Sequence, residues 1–231
     1  MLNSGTVHGE ELRASRQTNI CERLTMRRSL HAEGFGVRLR PVQITDAPFI
    51  VWLRNQDYVK GRVGDSAPDA ASQEKWLETY FEREGDYYFV VETLGGVPLG
   101  TNGLYNISGK SAEWGRYVIR PEVPAALPSA ILIFDLAFEK LELRELLARC
   151  VSTNLKVHSF VKKCGFRQTE TKFASQVIGG QPVDMIHFVL KAGDWPKSRE
   201  RVMPLAQFAE AKIREWEEHA PERETTTGNP A

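Results

Sequence analysis

The chain mixes short stretches that alternate apolar and polar residues, typical of β-strands, with stretches whose apolar residues recur at helical spacing. Gly95-Gly96 and Gly179-Gly180 are turn signals that would join neighbouring strands into hairpins. We therefore predict a sheet of several short strands. The predicted strands are 37–40, 87–92, 99–107, 114–120, 146–152, 173–177 and 185–191.

Helical spacing fills most intervals between these strands. Thr45-Asp46 is a candidate N-cap for a first helix through Trp52-Leu53, and Ser72 is a candidate cap for a second helix. This order of elements predicts an α/β (α+β) fold, in which helices flank a curved, mixed and mostly antiparallel sheet. Further helices are predicted over 129–140, 154–164 and 204–218.

The two ends of the chain differ from this compact pattern. Residues 1–34 are polar and rich in Arg, and they predict a flexible N-terminal extension. The domain itself is expected over 35–195, with a helical appendage over 196–220. Residues 221–231 predict a disordered tail.

Charge and cysteine usage narrow the classes of partner and compartment. Lys plus Arg equals Asp plus Glu at 30 each, so the formal net charge is zero, which argues against nucleic acid and against a polybasic membrane anchor. The three cysteines do not form a disulfide framework, which favours a reducing compartment. Without a long apolar run or a secretory signal pattern, the predicted location is cytoplasmic. His158 has no His or Cys nearby at metal-ligand spacing, so we predict no metal site.

Three segments carry a resemblance to a known family. They are 37–55 (VRLRPVQITDAPFIVWLRN), 112–119 (AEWGRYVI) and 154–166 (NLKVHSFVKKCGF). In order and spacing they resemble the opening strand and helix, the central strand and the last helical motif of the GNAT acyltransferases, over about residues 37 to 190. The resemblance implies two central strands that splay apart. It also implies transfer of an acetyl or other acyl group from acyl-CoA to a primary amine.

The same resemblance assigns the co-substrate, acetyl-CoA or another acyl-CoA, to the central strand. The pantetheine arm would pair with backbone groups there, and one N–H would act as an oxyanion donor. Asn154 resembles the family Asn that contacts this arm, and it suits the N-cap of its helix equally well. The backbone groups are those of Tyr117, Val118, Ile119 and Arg120, which equally suit a core strand.

The segment expected to bind the pyrophosphate departs from the family pattern. Residues 120–129 contain three prolines and no glycine, so a Gly-rich loop of N–H donors is missing. The remaining candidate donors are Leu127, Ser129 and Ala130, with Ser129 also a candidate N-cap. Val161 stands where many relatives place a Tyr that protonates the leaving thiolate. A degenerate GNAT domain that binds a partner without catalysis is therefore a competing hypothesis.

The resemblance also suggests residues for the reaction itself. An amine must lose a proton before it attacks, and Glu113, at the start of the central strand, is the candidate general base. An ordinary exposed Glu at a strand end is the competing interpretation. Arg54 and Asn55 are candidate acceptor-binding residues, since an Arg can hold an acidic or phosphorylated group through paired hydrogen bonds.

Acceptor and assembly are predicted from these features. The leading hypothesis is an amino sugar, linked to a nucleotide, as the small-molecule acceptor. The alternative acceptors are a protein N-terminus or a small amine, including an antibiotic. A homodimer is expected from the habit of the family.

Overall fold

The structure is a computed structural model that describes residues 30–64 and 66–219. The strands are β1 (Ala32–Gly34), β2 (Val37–Pro41), β3 (Tyr87–Thr93), β4 (Pro98–Ser108), β5 (Ser111–Ile119), β6 (Glu145–Val151), β7 (Arg167–Ile178) and β8 (Gln181–Lys191). The helices are α1 (Ala47–Arg54), α2 (Ala70–Phe81), α3 (Ala126–Asp135), α4 (Leu155–Lys163) and α5 (Trp195–His219). A π-helical turn, Leu136–Lys140, extends α3.

All described strands belong to one sheet, in the order β1-β2-β3-β4-β5-β6-β8-β7. Every neighbouring pair is antiparallel except β5 and β6, which are parallel. Helices cover both faces, as expected when each face of a sheet must bury its apolar side chains. The predicted fold class is confirmed.

One face of the sheet packs against α3 and α5. Phe134 of α3 lies at the centre of this layer, with its ring centroid 4.8 Å from Trp114 of β5 and 5.2 Å from Trp195 of α5. The ring centroid of Phe166 lies 5.5 Å from that of Phe134. Because these side chains are buried, each stabilises the fold by about 1.5–3 kcal/mol through loss of apolar surface to water.

The opposite face, which we call the α1/α2 face, packs against α1 and α2. Ile50 of α1 and Leu77 of α2 are fully buried against Tyr88 and Val90 of β3. The cap of α2 is Asp69, whose carboxylate accepts the N–H of Ser72 at 2.7 Å. The predicted cap at Ser72 is therefore wrong by three positions, because Ser72 supplies the capped amide.

The central strands separate soon after they begin. β5 and β6 pair only from Ser111 to Glu113. A bulge in β5 follows, since Val118 lies opposite Thr101 but Gly115 lies opposite Gly103, which leaves one extra residue on β5. A bulge increases the local twist, so it turns β5 away from its parallel neighbour. This opening is the predicted splay.

Several boundaries differ from the sequence prediction. Ala32–Gly34, expected in the flexible extension, pairs with β2. α5 begins at Trp195 rather than 204, and buried Val202 and Ile213 make it part of the core rather than an appendage. Residues 1–29 of the predicted extension and the predicted tail, 221–231, lie outside the described residues. No helix among the described residues is long and apolar enough to span a membrane.

Candidate active site

The splay exposes an edge of β5 to the space before β6. Beyond Glu113 the ladder to β6 ends, while Val118 and Ile119 still pair with β4 on the other side. An extended strand edge offers N–H and C=O groups to any amide-containing chain that lies along it. Of the predicted cofactor residues, Tyr117 and Ile119 therefore lie where a pantetheine arm can pair as an added strand. Backbone groups alternate in direction along a strand, so Val118, two residues before the Arg120 N–H that bonds the Leu99 carbonyl, directs its own groups toward β4.

The Tyr117 side chain has a structural role of its own. Its ring stacks on Phe160 of α4 at 5.8 Å with 14° between the planes. Its hydroxyl donates to the carbonyl of Ala126 at 2.6 Å, and burial raises the pKa of Tyr117 well above its usual value. The side chain thus connects β5 to both helices beside the splay. The two interpretations of this segment are compatible, because only the backbone would contact a ligand.

The first turn of α3 corrects two predicted donors. The helix begins at Ala126 with Ala125 as N-cap, so Ser129 is not the cap. The Ser129 N–H donates to the Ala125 carbonyl at 3.0 Å, and its hydroxyl donates to the same carbonyl at 2.8 Å. Ala130 lies one residue further into the helix. Helical hydrogen bonding therefore occupies the amides that were expected to bind phosphate at Ser129 and Ala130.

Only a short donor set remains at this helix end. The first-turn amides of Ala126 and Leu127 have no intrahelical acceptor, and Pro128 has no N–H. Leu127 is thus the predicted donor whose position suits a phosphate. The positive end of the helix dipole adds to these donors.

Arg120 is engaged on both its backbone and its side chain. Its N–H donates to the Leu99 carbonyl at 2.9 Å. Its guanidinium lies 5.1 Å from the ring centroid of Trp52 and 5.8 Å from that of Trp216, and it donates to Glu122 at 2.6 Å. The backbone N–H predicted to bind the cofactor is therefore already paired with β4.

Asn154 caps α4 through its side-chain oxygen. That oxygen accepts the N–H of Val157 at 3.4 Å. The side-chain nitrogen makes no hydrogen bond to another described residue, so it can still donate to a ligand carbonyl in the splay. The sequence left the cap and the cofactor contact open, and the geometry allows both. His158, one turn later, is buried and contacts the Val151 carbonyl at 3.0 Å.

Glu113 lies at the mouth of the splay, held by several donors. One carboxylate oxygen accepts the Tyr105 hydroxyl at 2.7 Å and Nε of Arg149 at 2.6 Å. The other accepts the side-chain N–H of Asn106 at 3.2 Å. Burial and the nearby Glu113 charge raise the pKa of Tyr105, so this hydroxyl keeps its proton. The Glu113 side chain is 14% exposed, which differs from the ordinary surface Glu of the competing interpretation.

The predicted acceptor residues lie at the end of α1. Asn55 is the C-cap of α1 and is exposed, with its N–H bonded to the carbonyls of Val51 and Trp52. Arg54 donates to the Gly64 carbonyl at 2.9 Å. Its charge acts on the buried Tyr88 hydroxyl of β3, where it opposes the rise in pKa that burial causes. Arg54 is the last residue of α1, which packs on the α1/α2 face.

Sequence reasoning missed the partners of Glu113. Tyr105 of β4 and Arg149 of β6 come from distant positions in the chain, and only the register of three strands brings them to one carboxylate. Counting back from the turn between β4 and β5 would place Tyr105 opposite Trp114. A register shift beside Asn106, whose φ is +53°, moves it opposite Glu113.

The sequence matches the family model described as "Acetyltransferase (GNAT) domain" over residues 37–167, more than half of the chain. The chain belongs to the GNAT acetyltransferase family. A GNAT protein of this kind is an acyl-CoA-dependent N-acetyltransferase with acetyl-CoA as its co-substrate. The open β5 edge, the Leu127 amide and Asn154 are suited to hold acetyl-CoA. No curated protein matches the chain.

Solved GNAT structures share this fold. A GCN5-related N-acetyltransferase from Brucella melitensis has 20% identity and a TM-score of 0.67, covering 77% of this chain and 85% of its own. FdhC, a nucleotide-linked sugar GNAT, has 26% identity and a TM-score of 0.62, covering 78% and 98%. Spermidine N-acetyltransferase from Vibrio cholerae, in complex with CoA and spermine, has 20% identity and a TM-score of 0.64, covering 71% and 99%.

Proposed function

We propose that this GNAT enzyme acetylates the primary amine of an amino sugar that is linked to a nucleotide. The observation that carries the proposal is that two largely buried carboxylates, one at the mouth of the splay and one against the β5 bulge, already have cationic partners and so are poorly suited to bind a polycationic acceptor. Asp86, 7% exposed, pairs with Arg116, and Glu113, 14% exposed, pairs with Arg149.

Arg54 favours an anionic acceptor. Arg54 lies at the end of α1 beside Tyr88, and its planar guanidinium suits a phosphate oxygen pair. Similarity supports the same class of acceptor, because the nucleotide-linked sugar GNAT reaches 26% identity and the spermidine enzyme 20%.

Glu113 would take the proton that the attacking amine releases, directly or through a water molecule. Tyr105 and Arg149 hold its carboxylate in place for that transfer. A backbone N–H on the β5 edge would stabilise the negative charge that develops on the thioester oxygen. The pairing of Asn154 with the pantetheine arm would keep that oxygen at a fixed position.

A small polyamine such as spermidine is the second candidate acceptor, because a spermidine N-acetyltransferase in complex with CoA and spermine shares the fold at a TM-score of 0.64.

We place the reaction in the cytosol, where free Cys150 and Cys164 stay reduced. Burial raises the pKa of both thiols to about 12, which makes them unreactive.

The test is a panel of acceptors, each assayed with acetyl-CoA, in which release of the CoA thiol measures turnover. The panel contains nucleotide-linked amino sugars, their free amino sugars, spermidine and a peptide with a free N-terminus. We expect the highest kcat/KM with a nucleotide-linked amino sugar. Turnover that is fastest with spermidine or the peptide would overturn the proposed acceptor.

A variant pair sharpens this test. Arg54→Gln should raise the KM for the nucleotide-linked acceptor by about 10- to 100-fold, as expected for loss of a hydrogen bond between charged groups. Its KM for acetyl-CoA should stay unchanged. Lys60→Gln, which removes a nearby exposed charge paired with Asp57, is the matched control and should behave like the wild type.

A further inference from the structure

Arg116 is the residue at which β5 bulges. Its φ is +49°, in the left-handed region that few residues other than glycine adopt. Its carbonyl accepts the hydroxyl of Thr101 at 2.8 Å. The bulge is thus fixed by a side chain of β4 at the point where β5 turns away from β6.

The Arg116 side chain is held by a bidentate ion pair. Both of its terminal nitrogens donate to the carboxylate of Asp86, one of them at 2.8 Å. The Arg116 side chain is 16% exposed and that of Asp86 7%. Planar pairs of this kind fix geometry as well as charge.

Aromatic rings surround the same guanidinium. The rings come from α2, β3 and β4, so this one side chain connects the helix layer to the sheet. Cation–π attraction reaches to about 6 Å from a ring centroid. The distances from Cζ to the ring centroids are 5.2 Å for Trp76, 5.8 Å for Tyr80, 5.2 Å for Tyr88 and 4.5 Å for Tyr105.

Tyr105 contacts both Arg116 and the candidate base Glu113. Its ring lies under Arg116, and its hydroxyl donates to Glu113 at 2.7 Å. A Cβ at Gly115 would collide with that hydroxyl, so the glycine leaves the space in which Tyr105 reaches Glu113. A shift of the Arg116 side chain would therefore move Tyr105, and with it the hydroxyl that holds Glu113.

Stability alone does not account for an arginine here. Burying an ion pair costs desolvation, and an apolar side chain among aromatic rings often stabilises a fold as well or better. A charged residue at a strained φ in this position is better explained by the geometry it imposes. We propose that Arg116 is a positioning residue that fixes the β5 bulge and, through Tyr105, orients Glu113 for acyl transfer.

This inference rests on the proposed acetyl transfer, so its test compares the full chain with variants under turnover. Arg116→Gly removes the side chain but keeps the left-handed backbone without strain. We expect kcat to fall by about 10- to 100-fold, as for a catalytic group displaced by about 1 Å, while the Kd for acetyl-CoA stays within threefold. Arg116→Ala adds strain at the bulge and should also weaken acetyl-CoA binding.

Two further variants separate positioning from folding. Asp86→Asn leaves the Arg116 side chain in place and should lower kcat in the same direction with normal acetyl-CoA affinity. Arg116→Lys keeps the charge near the rings and should recover part of kcat. Arg83→Ala is the matched control, because Arg83 also lies 5.2 Å from the Trp76 ring and 3.9 Å from Asp86 but is 42% exposed. Its kcat should equal that of the wild type.

The outcomes distinguish this inference from the proposed function. If the wild type transfers acetyl groups and folded Arg116→Gly and Asp86→Asn keep full kcat, the positioning role is wrong and the proposed function stands. If the variants lose only thermal stability, Arg116 is structural and the inference is again wrong. A wild type that neither binds acetyl-CoA nor turns over would overturn both.

Discussion

At the scale of single residues, the site depends on a carboxylate whose position is fixed from three strands. Glu113 on β5 accepts hydrogen bonds from Tyr105 and Asn106 on β4 and from Arg149 on β6. In the proposed reaction, Glu113 would be a preorganised base, since little reorganisation is needed when the amine arrives. The same donors would also have to release the carboxylate partly when it takes the proton.

Replacement of Glu113 tests its role directly. Glu113→Gln keeps the size of the side chain and removes its basicity, so kcat should fall by about 100-fold or more, the usual contribution of a general base. Acetyl-CoA affinity should not change. Glu142→Gln, at a 78% exposed side chain paired with Lys110, is the control. An unchanged kcat in a folded Glu113→Gln protein would exclude Glu113 as the base.

The sequence predicts Glu113 as the base but gives no signal for its partners, for a physical reason. Position within a strand motif is local information, whereas contact with Tyr105 and Arg149 depends on register across strands. A register shift of one residue exchanges the two faces of a strand, and bulges near Asn106 and Arg116 cause such shifts. Neither bulge is signalled by a glycine at its left-handed residue.

At the scale of elements, helix starts determine which donors face the splay. α3 begins at Ala126, three residues before its predicted start at Ser129. The prediction failed because no polar side chain caps this helix, whereas Ser129 is a residue type that commonly caps one. α4 begins as predicted after Asn154, because a polar cap precedes an amphipathic run. The predicted start is therefore right for α4, whose cap is Asn154, and wrong for α3, which has no side-chain cap.

A pair of substitutions at Asn154 separates capping from ligand binding. Asn154→Asp keeps the capping oxygen but removes the side-chain donor, so thermal stability should hold while the Kd for acetyl-CoA rises. Asn154→Ala removes both, and it should cost about 1 kcal/mol of unfolding free energy in addition. Thermal melts and calorimetric titration measure the two effects. Unchanged acetyl-CoA affinity in Asn154→Asp would leave Asn154 as a cap alone.

At the scale of the whole molecule, the splay lies within the sheet, between the central strands β5 and β6, and a helix layer packs on each face of the sheet. α5 closes the layer that contains α3, with Trp195 against Phe134 and a hydrogen bond from the Trp195 indole to Asp135 at 2.7 Å. The sequence predicts a helical appendage over 196–220 with its final helix over 204–218. The helix instead runs through Pro204, and Pro196 occupies its first turn.

Truncation tests whether α5 is integral to the fold. A chain that ends at residue 194 loses the buried Trp195, Val202 and Ile213, so we expect it to be unfolded or insoluble. Removing a single buried aromatic side chain already costs about 3–5 kcal/mol. A chain that ends at residue 219 should keep the melting temperature of the full chain. Cooperative folding of the shorter chain would show that α5 is dispensable.

Hydrogen exchange with and without acetyl-CoA tests whether acyl-CoA binds in the splay between β5 and β6. We predict slower exchange on binding for amides of residues 114–120 and 152–157, which border the splay. Residues 167–178 of the edge strand β7 should be unaffected and serve as the internal control. Acetyl-CoA binding that protects β7 and leaves exchange at residues 114–120 unchanged would show that the splay is not the acyl-CoA site.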